Sequence, residues 1–196
     1  MKAVMISIRP EWDEKITSGE KTADVRKTRP KVEPPFKCYI YCTKAKEKLW
    51  VLRGSERAFT REKIAAICQA KDVGGAYQGN GKVIGEFMCD RIDYWNHHIH
   101  DNDTITLERA SELSCVSEDD IVKYADLGHF YAWHISDLVI YEKPRPLSDF
   151  KSPCDGFDKR CQVSCALITT DGISRCTRRQ LTRPPQSWCY VEEVTT

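Results

Sequence analysis

Proline and glycine cut this chain into short pieces, and that limits its fold more than any other feature. The first apolar run, Ala3 to Ile8, alternates small or polar with large apolar residues as a short strand does. It stops at Arg9-Pro10, because proline cannot donate to a strand ladder. Further breaks fall across Thr28 to Pro35, at Gly74-Gly75 and Gly79-Asn80-Gly81, and at Pro144, Pro146, Pro153 and Pro184-Pro185. Short strands interrupted by helices, without regular strand-helix alternation, indicate an α+β fold with a curled mixed sheet rather than a doubly wound one.

The expected elements follow from the pattern between breaks. Pro10 suits the first turn of a helix running to Ser18, with Trp12 and Ile16 near helical spacing. Lys21 to Arg26 reads as a strand that places Ala23 and Val25 on one side and Thr22, Asp24 and Arg26 on the other. Cys38 to Thr43 is a third strand, Thr60 to Ala70 a helix, and Lys82 to Ile92 a long strand. Ser117 followed by Glu118, Asp119 and Asp120 predicts an N-cap and an acidic first turn before a helix over Ile121 to Leu127. His129 to Tyr141 predicts an aromatic-rich strand, and Ser187 to Val194 a last one, with Trp188 anchoring it so that the basic tail returns beside Lys21.

A chain of 196 residues holds one sizeable core and an appendage. The expected division is residues 1–150 as the main domain and 151–196 as a cysteine-rich basic extension. No export signal precedes the first strand, and no window reaches about eighteen consecutive apolar residues, so neither secretion nor a membrane is expected. The ten cysteines are then expected to be reduced, in the cytoplasm. Cys154, Cys161, Cys165 and Cys176 stand in a polar stretch with little apolar material, which makes them candidate ligands of a structural zinc or free thiols. His97, His98 and His100 read as a solvated turn, with metal binding as the alternative.

Charge is unevenly placed. Lys2 to Lys31 carries eight Lys/Arg against five Asp/Glu and Lys143 to Arg183 nine against four, whereas Glu86 to Asp126 carries eleven Asp/Glu against three Lys/Arg, so a fold joining the two ends gains a basic face. Such a face suits an anionic partner. The acidic segment over 101–126 offers a protein-interaction surface instead. No glycine-rich phosphate loop and no dinucleotide fingerprint is present.

The segment Gly19-Glu20-Lys21-Thr22-Ala23-Asp24-Val25-Arg26 resembles the GxKxxExR signature of ASCH domains, members of the PUA-like superfamily, with Asp24 at the acidic position. Ile6 to Trp12, Gly85, Tyr131 to Ile135 and Tyr141 to Leu147 fit the same family, so the likeness spans roughly residues 1–150. The tail Pro184 to Tyr190 resembles phage- and prophage-associated bacterial members. The resemblance implies a small mixed β-barrel of PUA-like type with flanking short helices, acting on RNA. The residues implied for binding RNA or a modified nucleotide are Lys21, Thr22, Asp24, Arg26, Lys27, Arg29 and Lys31, with Trp133 among the aromatics that would stack on bases.

Part of the superfamily is enzymatic. A branch that resembles this motif hydrolyses N4-acetylcytidine with a lysine, a threonine and a distant glutamate. Here the corresponding set would be Lys21, Asp24 at the nucleophile position and Glu86, so the match departs at Asp24. A ribonuclease using Lys21 and Arg26 to stabilise a phosphorane is a further reading. RNA binding, hydrolysis of RNA or a modified nucleoside, and a protein adaptor thus stay open on the sequence.

Overall fold

The structure, a computed structural model, describes residues 2–55, 57–60, 75–153 and 180–194. Its core is a five-stranded sheet built from β1 (Lys2–Ile8), β3 (Phe36–Cys42), β7 (Lys82–Cys89), β10 (Ser136–Arg145) and β11 (Trp188–Glu192). Their order across the sheet is β10-β7-β3-β1-β11. β1 and β3 run parallel, with Ile6 opposite Ile40, while the other neighbours are antiparallel. A second sheet orders β2 (Ala23–Arg26), β9 (His129–His134) and β8 (Ile92–Asn96), and a third orders β5 (Ala58–Thr60), β4 (Leu49–Leu52) and β6 (Ala76–Gln78).

β1 is buried along both faces. Val4, Ile6 and Ile8 join the main core with Ile40, Phe87 and Trp133, while Ala3 and Met5 meet Tyr39, Phe150 and Val191 on the other side. A strand covered on both faces needs apolar residues at nearly every position. A further cluster lies under the helices α2 (Leu107–Ser114) and α3 (Glu118–Ala125), which pack Ala110, Ile121 and Ala125 against Ala23, Phe130 and Ala132.

The expected α+β class, the opening strand and α1 (Pro10–Thr17), the capped helix after Ser117 and the returning last strand all stand in the structure. Ser117 accepts from the Asp120 N–H as an N-cap should. Three expectations change. The run Lys82 to Ile92 is two strands, because the chain leaves the five-stranded sheet at Asp90 and joins the second at Ile92. The run His129 to Tyr141 divides likewise at Ile135, and β10 continues to Arg145 past Pro144. β10 is an edge strand, where a proline N is not missed. β4, β5, β6 and α2 are described elements that the sequence pattern does not predict. Closure of the sheets into one barrel is not among the described pairings, and the helix expected over Thr60 to Ala70 lies outside the described residues apart from its first position.

Candidate nucleotide-binding site

The signature segment forms the floor of a cavity. α1 gives way to Gly19, whose φ of +78° lets the chain reverse at little cost. The Lys21 N–H then donates to the Lys15 carbonyl and the Thr22 N–H to Leu113, which pins the start of β2 between α1 and α2. Lys21 is only 3% exposed. Its Nζ donates to the carbonyls of Ala23 (2.9 Å) and Ser114 (3.1 Å) and lies 3.1 Å from Asp24 Oδ1. All three ammonium protons therefore have acceptors, and the Trp12 ring centre lies 5.4 Å away.

Asp24 and Arg26 are buried beside it. Arg26 Nε donates to Asp24 Oδ2 at 2.6 Å. Its Nη1 donates to the Ser187 carbonyl and hydroxyl, and its Nη2 to the Ser7 carbonyl. Burial alone would raise the Asp24 pKa, but the Arg26 and Lys21 charges outweigh it and hold the carboxyl below its usual range. Beneath them, on α1, Asp13 is 1% exposed and neither carboxylate oxygen meets a nitrogen or oxygen donor. Burial pushes its pKa well up, with the Cys42 thiol as its polar neighbour. Lys21, Asp24 and Arg26 by themselves carry one surplus positive charge.

Above this floor is a cavity of about 460 Å³, within the range of small-ligand pockets. Trp12 of α1 lines it, as do Asp120, Ile121 and Tyr124 of α3, and Gln186 and Ser187 of the returning tail. Arg9 stands at the same opening, and Lys27 Nζ lies 5.4 Å from the Tyr124 ring centre. The expected separation of a basic from an acidic face does not hold here: α3, the acidic helix, supplies one wall of the site through Asp120.

The structure thus brings Lys21, Asp24 and Arg26 together, with Lys27 at the rim. Thr22 is exposed and does not line the cavity. Arg29 pairs with Glu33 at 3.5 Å, and Lys31 is exposed outside the lining, its backbone N–H donating to the Tyr190 hydroxyl. Trp133 is a correction: it is 0% exposed, packed edge-on to Phe36, and has no face to offer a base. Glu86 is another. It accepts from Lys37 at 2.8 Å and from the Tyr141 hydroxyl, away from the Lys21 cavity. Cys154, Cys161, Cys165 and Cys176 lie outside the described residues, and among the described residues no group of three or more His, Cys, Asp or Glu could hold a metal ion. His100 of the histidine turn pairs with Asp103 instead.

Sequence reasoning misses Arg9, Asp120, Tyr124 and Gln186 as site residues. One signal is available for two of them: Asp120 and Tyr124 are four apart on one helix and so share a face.

The fold is similar to that of ASCH proteins of known structure. The particular structures it matches include three of one protein from Zymomonas mobilis. The crystal structure of ASCH from that organism gives a TM-score of 0.51 and 16% identity, and covers 97% of this chain and 88% of that one. A tyrosine-to-phenylalanine mutant of the same protein gives 0.51 and 16% over 98% and 92%, and a serine-to-alanine mutant 0.51 and 17% over 97% and 89%. No family model and no curated protein matches the chain.

Proposed function

We propose that this protein binds RNA and takes one unpaired nucleotide, ordinary or modified, into the cavity between Trp12 and Tyr124. The observation that carries this reading is the pairing of two aromatic walls with a buried, net-positive floor. Stacking on aromatic side chains contributes about 1–3 kcal/mol per base without demanding a sequence. Asp120 supplies a carboxylate able to accept from an exocyclic amino group, and Arg9 and Lys27 supply exposed cations for phosphate. Arg26 has five N–H groups and makes four hydrogen bonds, so one remains for a ligand. Its main work is structural.

Hydrolysis has less support. Lys21 has no uncommitted proton, Asp24 is held ionised by two cations and is a poor base, and Glu86 does not line the cavity and is engaged by Lys37 and Tyr141. The reading is tested by titrating the protein with labelled single-stranded RNA, duplex RNA and single-stranded DNA across a salt series, and resolving bound, free and cleaved strands. Tight, salt-sensitive binding of intact single-stranded RNA, weakened about tenfold or more in Trp12→Ala and Tyr124→Ala, is expected. Binding unchanged in both variants would rule out this cavity, and cleavage abolished in them would make the protein a nuclease.

A further inference from the structure

A second groove continues the first. It encloses about 520 Å³ and shares Ser7, Thr43 and Gln186 with the nucleotide cavity, extending from there to Tyr41, Lys44 and Gly81. The two adjoin at these shared residues, beside the tail segment at Pro184 to Gln186, whose Pro185 carbonyl accepts from the Ser7 hydroxyl at 2.6 Å.

At its far end the groove is lined by Lys44, the first lysine of a loop that is held in shape. The loop after β3 carries Lys44, Lys46 and Lys48, all exposed, with Glu47 between the last two. No ion pair among the described residues neutralises these lysines. Arg183, also exposed, lies between Thr182 and Pro184, which line the groove. A single side chain braces the loop: Asn80 donates to the carbonyls of Thr43 and Glu47 and accepts from the Leu49 N–H. Lys44 is positioned further. Its stem lies against Gly81, so close that a Cβ there would meet Lys44 Cε at 3.0 Å and Cγ at 3.2 Å. A lysine loop fixed at both ends, opening on a groove joined to a nucleotide cavity, is preorganised for a chain of phosphates.

We infer that this second groove is a backbone subsite: it holds the phosphodiester chain of the same RNA strand whose unpaired nucleotide occupies the first cavity. The inference rests on the RNA-binding reading above. The strand leaves the Trp12–Tyr124 cavity past Ser7 and Gln186 and runs out over Lys44, Lys46 and Lys48. Contact there is with phosphate charge, so it adds affinity and no base preference.

The test uses the full chain and two probes, a nucleoside monophosphate and a twelve-nucleotide single-stranded RNA, with the triple variant Lys44→Gln/Lys46→Gln/Lys48→Gln beside Trp12→Ala. The expected result is that the triple variant binds the monophosphate as wild type does. On the twelve-mer it weakens about tenfold or more, and its salt slope falls by about 2, near 0.7 for each phosphate that no longer meets a lysine. Trp12→Ala weakens both probes. Equal twelve-mer binding and equal slope in the triple variant and wild type would overturn the subsite and leave the cavity reading intact. A twelve-mer that responds to the lysines and not to Trp12 would instead overturn the cavity reading and retain the groove. Wild type that binds neither probe overturns both.

Discussion

Arg26 donates to both the carbonyl and the hydroxyl of Ser187, a residue 161 positions further along the chain. This guanidinium joins three parts of the molecule at once, since it also holds Asp24 of its own strand and the Ser7 carbonyl of β1. Removing it should be costly. Arg26→Ala leaves the buried Asp24 carboxylate with only Lys21, and a drop in unfolding free energy of about 3–5 kcal/mol is expected in urea. Arg26→Lys should recover only part of this, because an ammonium has three protons at one point and cannot replace a planar fork that spans four acceptor atoms on Asp24, Ser187 and Ser7. A loss below about 1 kcal/mol in Arg26→Ala would show that the cluster does not brace the fold.

Two buried carboxyls should pull the pH profile in opposite senses. The Asp24 pKa is lowered by folding, so its contribution is complete above the unfolded value near 4 and is lost as pH falls through the folded value. The Asp13 pKa is raised, so the folded state retains a proton that the unfolded state has released. Stability therefore declines as pH rises from about 4 until the folded pKa is passed. Asp13→Asn should flatten that decline and leave the acid limb in place. Denaturant midpoints from about pH 3 to 8 would measure both; an unaltered slope in Asp13→Asn would mean that the carboxyl is not protonated in the native state.

The two tryptophans should separate stability from binding. Trp133 is fully buried, so Trp133→Ala is expected to cost about 3–5 kcal/mol. Trp12, only partly buried, should cost about 1 kcal/mol when replaced by alanine and instead weaken nucleotide binding. The paired measurements are thermal unfolding and RNA titration, and a reversal of the two ranks would place the binding face elsewhere.

Asn80 offers a way to loosen the lysine loop without touching its charge. Asn80→Ala removes three hydrogen bonds to backbone groups, and an unfolding cost of about 2–3 kcal/mol is expected. Hydrogen exchange of the Leu49 amide should accelerate in the same variant. An unchanged exchange rate would show that other interactions suffice to hold the loop.

Local signals give much of this architecture away, and long-range ones do not. The turn at Gly19 and the short strand to Arg26 follow from the sequence, and so does the sharing of one side by Asp24 and Arg26. What the sequence hides is burial. Lys21, Asp24 and Arg26 read as polar groups projecting toward a ligand, but they form the cavity floor and are mostly satisfied by one another and by backbone carbonyls, and only the fold shows the neighbours that do so. Burial also separates Trp133 from Tyr124: Trp133, expected to stack, sits in a strand with a covered face, whereas Tyr124, to which the sequence assigns no role, lines the cavity from a helix flank. The switches at Asp90 and Ile135 are hidden because apolar residues continue on either side of them while the chain changes sheets.

The pairing of Lys2 with Glu192 and of Ile6 with Trp188 joins the two ends of the described chain. The two strands nearest the opposite ends of the described chain are neighbours, and a pairing of such sequence separation carries a high loop-closure cost. Gln186 and Ser187, which line the cavity, lead directly into that pairing and are held beside it by Arg26 and Ser7. A partly folded molecule would therefore possess the aromatic and cationic residues of the site but lack one of its walls. On the proposed function, ligand binding would then favour only the finished molecule, and capacity to bind would report on complete folding.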